Sequence, residues 1–385
     1  MKEIALIGFV QICFFSFLIF LKHDKKIKDY FLALFFILVG CELLYRYLLF
    51  IPGAYEKKWL AIFDITYWSL LGPSIYLYVR FVIEKNKNFE SKHLVHFLPL
   101  IISIIPFIDY LNNYSQLSFI QYYNQSKGIN WFILNIFWEF ASAVYITVCI
   151  FILFKHKKRV KNFYSTVENK NLNWLFILSI GFAVYLYASY LSWILIDLKI
   201  IHTSFRFIKI IVAILTLYVF IVGIFGYKQE GVFIDTELSE LKKTYSNKQD
   251  SHEKYFKSGL STEEKNELKY KLQGLMKKNK PYLDPELNIS FLADELKTSV
   301  HKLSQVINES YHKNFFDYIN SYRVEEVKTE LLKEKNDNYT IMAIAYDCGF
   351  NSKSSFYSIF KKHTQFTPSE FKKRLMDKSE KIILD

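Results

Sequence analysis

The sequence predicts an all-α protein: a seven-transmembrane helical bundle followed by a C-terminal all-helical domain with two helix-turn-helix units. Two observations predict this class. Residues 1–227 hold long apolar stretches, and residues 261–378 hold apolar side chains that recur at helical spacing. The composition agrees, because 51% of the 385 residues are hydrophobic and only 12 Gly and 7 Pro interrupt the chain, which suits long helices with a membrane part.

The apolar stretches are long enough, or nearly so, to cross a bilayer as helices, which takes roughly 20 residues. They are Ile4–Leu21, Tyr30–Phe50, Trp59–Ile83, His93–Tyr110, Trp131–Phe154, Trp174–Leu198 and Thr203–Tyr227. Pro99 and Pro106 predict a kink in the fourth stretch, and Gly72-Pro73 predicts a bend in the third. We therefore expect a multi-pass membrane protein.

The loops between the stretches predict the orientation. Lys and Arg are concentrated in 22–29, 84–93 and 155–171. The alternate segments carry few: 1–3, 51–58, 111–130 and 199–202. Because basic loops stay in the cytoplasm, we expect a protein of the cytoplasmic membrane. Its amino terminus is expected outside the cell membrane and its C-terminal domain in the cytoplasm. The net charge of +12 lies mostly in residues 1–250, so it indicates topology more than nucleic-acid binding.

Ionisable residues inside apolar stretches are costly and indicate function. Glu42 and Arg46 are four apart and can pair on one helix face, and Asp197 lies near the end of the sixth stretch. Two interpretations stay open: pairing that only holds helices together, or a pocket reached from outside, with Trp68, Trp138 and Trp193 as walls. The candidate residues for sensing an external or membrane ligand are Glu42, Arg46, Asp64, Glu139, Arg206 and Lys209.

Motifs of catalysis and cofactor binding are missing from the sequence. It contains no HExxH, Walker A or dinucleotide fingerprint. Its four cysteines are scattered, and His93 and His96 have no third ligand nearby in the sequence. The sequence thus predicts a protein that is not an enzyme, with no catalytic residue, no metal and no cofactor.

The polar stretch 228–260 predicts a cytoplasmic linker between the bundle (1–227) and the rest. Ser261-x-x-Glu264 is a capping box. It opens an amphipathic connecting helix (261–283) whose stripe is Leu268, Leu272, Leu275 and Met276. This helix either packs on the domain that follows (284–378) or pairs with a second copy, which would give a homodimer.

Two short patterns in the C-terminal domain have the form helix, turn, capped helix. In the second, Gly349 breaks a helical run and Ser352 is placed to cap the next helix. In the first, Ser299 is placed to cap a helix whose inward side is Leu303, Val306 and Ile307. The outer faces of both capped helices carry polar and basic side chains. The second helix of such a unit can lie in the DNA major groove.

The order of residues in the second unit resembles that of the AraC-type transcriptional regulators. The matching positions are Ala345, Gly349-Phe350, Ser352, Phe356, Phe360-Lys361-Lys362 and Thr367-Pro368. The resemblance covers about the last hundred residues, including a long linking helix, Asn314–Lys335, in which Arg323 matches the family's Arg. It implies that the protein binds double-stranded promoter DNA. The candidate contacts are His301, Lys302, Ser304, Gln305, Lys353, Ser354, Tyr357, Ser358, Lys361 and Lys362.

Three positions depart from the family, which has Gly where this chain has Lys297, His312 and Gln365. A non-Gly residue in a turn of positive φ costs on the order of 1 kcal/mol, so the turn geometry is in question. The sequence as a whole predicts a membrane-embedded one-component transcription factor whose partners are DNA, the lipid bilayer and an unknown ligand. The alternative is a transporter or membrane enzyme with a regulatory DNA-binding tail.

Overall fold

The computed structural model describes residues 2–21, 25–48, 51, 59–84, 88–113, 122, 125, 129–130, 140–167, 172–197, 205–227, 260–333 and 338–374. Within these ranges, 59–67, 193–194, 196–197, 205–209 and 223–227 are described by their backbone alone. The chain divides into two compact units. We call Met1–Phe154 with Leu172–Thr236 the apolar unit, and Lys155–Asn171 with Glu237–Asp385 the C-terminal unit. Residues 228–259, the predicted linker, lie outside the described residues.

The apolar unit is mostly helical in its described part. Its helices are α1 (Lys2–Leu21), α2 (Ile27–Leu48), α3 (Trp59–Ile83), α4 (Leu98–Asn113, after a 3-10 helix at Ser91–Phe97), α5 (Ala141–Phe163), α6 (Asn173–Asp197) and α7 (Phe205–Tyr227). Phe35 of α2 meets Phe182 of α6 edge to face at a centroid distance of 5.1 Å. Both rings are fully buried in one apolar core. Helix α5 leaves this unit after Phe154.

Four helices among the described residues are long and apolar enough to cross a membrane: Lys2–Leu21, Ile27–Leu48, Ser91–Asn113 and Asn173–Ser192. Trp68–Ile83 and Ile210–Val222 are shorter apolar helices. Residues 131–139, which begin the predicted fifth span, lie outside the described part. Apolar side chains on the outer surface of α1, such as Ile7 and Leu21, are more than 60% exposed. Such exposure suits a lipid environment.

At the position of the predicted bend, a side chain from another helix contacts the backbone of α3. Pro73 lies inside the helix and cannot donate a backbone hydrogen bond. One residue earlier, Gly72 N–H donates to Ser142 Oγ at 3.2 Å, and the same hydroxyl donates to Trp68 O at 3.1 Å. A neighbouring hydroxyl thus stands between two backbone groups that an uninterrupted helix would join directly, which is a recognised cause of helix bending.

The C-terminal unit consists of α8 (Thr262–Asn279), a 3-10 helix at Pro281–Leu283, α9 (Ile289–Glu295), α10 (Val300–Tyr311), α11 (Phe315–Leu331), α12 (Ile341–Asp347) and α13 (Lys353–Thr364). Helix α8 packs on this unit, because Leu268, Leu272 and Met276 are buried and the last two join its core. Helix α11 ends at Leu331, short of the predicted Lys335, and Leu332 is 64% exposed.

Two apolar cores flank α11. The core around α9 and α10 contains Leu292, Leu303 and Ile307 and receives Phe315 and Ile319 from α11. The second core, around α12 and α13, is lined by Ile344, Phe356 and Phe360 together with Val324 and Val327 of α11. One helix therefore supplies a side to each helix-turn-helix unit, which fixes the two units to a common support.

Candidate nucleic-acid interface

The caps predicted from serine positions are present. Ser261 Oγ accepts from Glu264 N–H at 3.1 Å, and the Glu264 carboxylate accepts from Ser261 N–H at 3.0 Å, which completes the capping box. Ser299 Oγ accepts from Lys302 N–H at 3.2 Å and Ser352 Oγ from Ser355 N–H at 3.3 Å. The backbone hydrogen bond from Ser261 also lowers the pKa of Glu264. Both recognition helices, α10 and α13, thus begin at an orderly N-cap.

Both turns have the same hydrogen bonds at the end of the leading helix. In the first, Thr298 N–H donates to Ala293 O (2.9 Å) and Lys297 N–H to Asp294 O (3.0 Å). The second repeats the pattern, with Phe350 N–H to Ala345 O and Gly349 N–H to Tyr346 O. This is the Schellman motif, which places one residue in the left-handed region.

The three positions that depart from the family pattern keep the conformation that Gly would favour. Lys297 has a φ of 52°, His312 of 53° and Gln365 of 66°. His312 and Gln365 are the C-caps of α10 and α13. The turn geometry is therefore retained, and its cost is the left-handed conformation of three side-chain-bearing residues.

The outer face of α13 is basic. Lys353, Ser354, Ser358, Lys361 and Lys362 are exposed, and Tyr357 is half-buried. Lys353 Nζ lies 5.7 Å from the centroid of the Tyr357 ring, and Ser354 Oγ lies 3.2 Å from Ser352 Oγ. Lys362 Nζ donates to Asp317 Oδ1 of α11 at 2.7 Å. Ammonium groups and short hydroxyls on one face suit contacts with phosphates and base edges.

The outer face of α10 is closer to neutral. His301 and Lys302 are exposed, while Ser304 and Gln305 are half-buried. Lys302 Nζ approaches Glu264 Oε1 of α8 at 3.4 Å, and Gln305 Nε2 donates to Glu309 Oε1 at 2.9 Å. Ser304 Oγ accepts from Asn308 at 3.3 Å.

Two carboxylates on this face were missed from the sequence. Glu309 also accepts from Lys265 of α8 at 2.7 Å, and the hydrogen bonds from Lys265 and Gln305 lower its pKa. Glu309 could have been found, since it lies four residues after Gln305 on one helix. Glu264 comes from a different helix and had no such signal.

Arg323 lies behind both units and is 1% exposed. Its Nε donates to Tyr282 O at 2.7 Å and its Nη2 to Asp284 O at 2.7 Å. A Cβ added to Gly349 would lie 2.9 Å from Arg323 Nε and 2.4 Å from Tyr282 O. The guanidinium therefore joins α11 to the 3-10 helix beside the turn of the second helix-turn-helix, where only glycine fits.

The predicted ligand-sensing residues are described in part. Arg46 Nε donates to Glu42 Oε1 at 2.8 Å, as the spacing predicts. Tyr185 O–H of α6 donates to the same oxygen at 2.6 Å, and Glu42 Oε2 is buried without a hydrogen-bond partner among the described residues. Asp64, Arg206 and Lys209 lie in parts of α3 and α7 that are described by their backbone alone, and Glu139 lies outside the described residues. Their meeting in one pocket stays a prediction.

The fold and the two exposed faces define the class of the C-terminal part: it is an AraC-type helix-turn-helix domain. Residues 292–374 match the family described as a helix-turn-helix domain. The chain is also similar to an uncharacterized HTH-type transcriptional regulator in the cgkA 5' region of Pseudoalteromonas carrageenovora, with 31% identity over 88 residues. Those residues are 23% of this chain and 50% of the relative, so the chain spans half the length of that curated protein. No solved structure matches.

Proposed function

We propose that the protein is a membrane-embedded one-component transcription factor that binds promoter DNA through both helix-turn-helix units and responds to a signal sensed in the apolar unit. The observation that carries the proposal is a pair of capped recognition helices with exposed polar faces, α10 and α13, in a chain that also has long apolar helices. The alternative of a transporter or membrane enzyme gains no supporting feature from the part of the chain that the structure describes.

The shared helix gives the two units a defined separation. Helix α11 has 17 residues, which corresponds to about 26 Å at 1.5 Å per residue. Successive major grooves on one side of DNA are about 34 Å apart. With a recognition helix at each flank of α11, one protein molecule could place both in successive major grooves. A second copy would extend the site to two such pairs.

A chromosomal map of sites bound by the tagged full-length protein gives the target, and a duplex from that map allows the affinity of the full-length protein in lipid nanodiscs to be measured. We expect Lys353→Ala or Gln305→Ala to cost about 1–3 kcal/mol on the site and little on random duplex. Lys271→Ala, which removes an exposed lysine of α8, serves as the control. Equal losses on both duplexes would show that these residues contact only the DNA backbone.

The proposed topology has the amino terminus outside and the C-terminal unit in the cytoplasm. Support comes from the 155–171 segment, because it belongs to the same compact unit as the helix-turn-helix domain and is one of the Lys-rich loops that basic-residue bias places inside. Reporter domains fused after Asp385 test this. A carboxyl terminus active only as a periplasmic reporter would refute the proposal, since the domain could not reach DNA.

The proposed sensor includes the cluster of Glu42, Arg46 and Tyr185, with Asp64, Glu139, Arg206 and Lys209 as further candidates. Its support is a buried carboxylate that has one oxygen doubly hydrogen-bonded and one without a partner among the residues that the structure describes. We expect Glu42→Gln to change the signal response of promoter output while the protein's abundance and its DNA affinity in nanodiscs stay unchanged. A fall in abundance with unchanged output per molecule would make Glu42 a structural residue only.

A further inference from the structure

Residues 155–167, which form the end of α5 and the chain just after it, pack into the core of the second helix-turn-helix unit. Val160 and Tyr164 are 0% and 1% exposed, and Val167 is 8% exposed. All three belong to the core that contains Ile344 and Phe356. A connection between two apolar helices needs no such apolar side chains on its own account. Their burial is what a docked segment requires.

Phe163 in the same segment contacts both cores, because it packs against the first as well as the second. Lys161 Nζ lies 5.5 Å from the centroid of the Phe316 ring of α11. The segment therefore lies against the shared helix where the two helix-turn-helix units come together.

The backbone of the segment is bound as closely as its side chains. Tyr164 pairs with Asn288, the N-cap of α9, in an isolated antiparallel bridge. Ser165 N–H donates to Leu287 O at 3.1 Å, and Ser165 Oγ donates to the same carbonyl at 2.7 Å. The segment thereby holds the start of the first helix-turn-helix.

Polar groups of the segment also form hydrogen bonds with the shared helix α11 and with the chain that precedes α9. Asn320 Nδ2 donates to Ser165 O at 3.0 Å, and Arg323 Nη2 donates to Ser165 Oγ at 3.0 Å. Thr166 Oγ1 donates to Pro285 O at 2.6 Å. Arg323 also lies against Gly349 in the second turn, so these hydrogen bonds connect the segment to that turn.

We propose that the docked segment 155–167 is the contact through which the apolar unit controls DNA binding: while docked it holds the two helix-turn-helix units in the arrangement that binds DNA, and its release weakens binding. This inference rests on the proposed function. The docked state is assigned as the binding state because Lys302 and Lys353 are exposed in it, and because the bonds described above go to 284–288 and α11 instead of the faces of α10 and α13.

Docking can be tested without DNA. In full-length protein with Cys13→Ala, the pair Tyr164→Cys and Asn288→Cys replaces two residues that face each other across the antiparallel bridge, at a separation that a disulfide can span. We expect mild oxidation of native membranes to cross-link this pair in most molecules, with each single cysteine variant as control. An absence of cross-linking in protein present at normal abundance would overturn the proposal.

The effect on DNA affinity is tested with Ser165→Ala combined with Thr166→Val. The matched control is Ser321→Ala with Thr329→Val, which removes the same hydroxyls from α11, where they donate to backbone carbonyls of their own helix. In nanodiscs we expect at least about a tenfold loss of affinity for the mapped site in the first variant, since buried groups lose partners, and less than twofold in the control.

The cross-linked pair covers the case in which that variant fails to fold. We expect its oxidised form to bind the site more tightly than its own reduced form and to lose the response that the membrane signal gives. Unchanged affinity in the Ser165/Thr166 variant, or tighter binding on release, would overturn the inference. Cross-linking without any site-specific binding by wild type would instead refute the proposed function.

Discussion

The two helix-turn-helix units share a design and differ in what completes them. The first has an exposed Lys297 at its turn and a core built largely from α8 to α11. The second has Gly349 at the equivalent place, pressed against Tyr282 O and Arg323, and its core takes in three residues of the 155–171 segment. The difference teaches that the first core comes mainly from nearby sequence, with Phe163 packed at its edge, whereas three residues of the second core come from chain more than a hundred residues away.

Their outer faces differ as well. The last turn of α13 carries Lys361 and Lys362, of which Lys362 pairs with Asp317. On α10, Lys302 lies near Glu264 and Gln305 is bonded to Glu309. Because phosphate contacts supply most of the sequence-independent affinity, the second unit is suited to hold DNA and the first to discriminate between sequences. Four measurements test this comparison.

The largest expected effect is on the stability of the second turn. Gly349→Ala places a Cβ 2.4 Å from a backbone oxygen at a φ of 88°, and we expect a loss of about 2–4 kcal/mol. Lys297→Ala, the matched control, already has a Cβ at a φ of 52° and should change little.

The measurement uses the thiol of Cys348, because burial raises its pKa to about 12 and keeps it unreactive in the folded protein. Unfolding returns the pKa to about 8.5, so the urea concentration at which a thiol reagent modifies Cys348 at pH 8 reports the second unit's stability. The protein should carry Cys13→Ala, Cys41→Ala and Cys149→Ala. Equal midpoints for the two turn variants would remove the distinction between the turns.

The next effect concerns the salt dependence of DNA binding. Lys361→Ala should make the slope of log K against log salt concentration shallower by about 1, the value for one phosphate contact. Lys302→Ala should change the slope less, because Glu264 already offsets the charge of Lys302 at 3.4 Å. Titration of random duplex at several salt concentrations with the full-length protein would show it. The assignment fails if the Lys302 variant changes more.

A smaller gain is expected from restoring glycine at the first turn. Lys297→Gly removes the side chain of a residue in the left-handed conformation. Because glycine adopts that conformation without strain, the change should stabilise α9 and α10 by about 0.5–1 kcal/mol. Lys302→Gly, the same substitution inside α10, should destabilise them by about as much. Amide hydrogen exchange of these two helices in the full-length protein distinguishes the signs, and slower exchange in both variants would contradict the strain argument.

The smallest effect is expected at Glu309. Glu309→Gln removes a negative charge from the α10 face and replaces the acceptor of Gln305, so affinity for random duplex should rise roughly twofold, as suits an exposed charge. Glu325→Gln on α11 is the control, since its carboxylate pairs with Lys328 of the same helix. An equal rise in the control would show that only net charge matters.

Local rules were enough to predict much of the C-terminal domain. Ser261, Ser299 and Ser352 cap the helices expected of them, because a cap depends on neighbours within three residues. The turn at Gly349 was predicted for the same reason. The departures at Lys297, His312 and Gln365 were expected to strain turns of positive φ, and each residue has a positive φ.

The docking of residues 155–167 could not be predicted this way. Its lysines gave it a place in the topology argument, and nothing in its local pattern indicated that Ser165 would meet Arg323 of α11, 158 residues later. Contacts of that separation leave no periodic signal in either segment. The alternatives for α8 were also beyond local rules, since a stripe of Leu272 and Met276 has the same appearance whether it faces its own domain or a second copy.

The presence of Val160, Tyr164 and Val167 in the core of the second helix-turn-helix unit has a consequence for biosynthesis. Ribosomes make Val160 and Tyr164 long before Phe356 and Phe360, so in the membrane topology proposed above the second helix-turn-helix can complete its core only if the earlier segment lies on the same side of the membrane. A chain inserted with 155–171 on the opposite side would leave this core unfilled and open to proteases. In that proposed topology, completion of this core depends on correct membrane insertion. Chains whose 155–171 lysines are replaced by glutamine should show it as faster turnover in pulse-chase experiments.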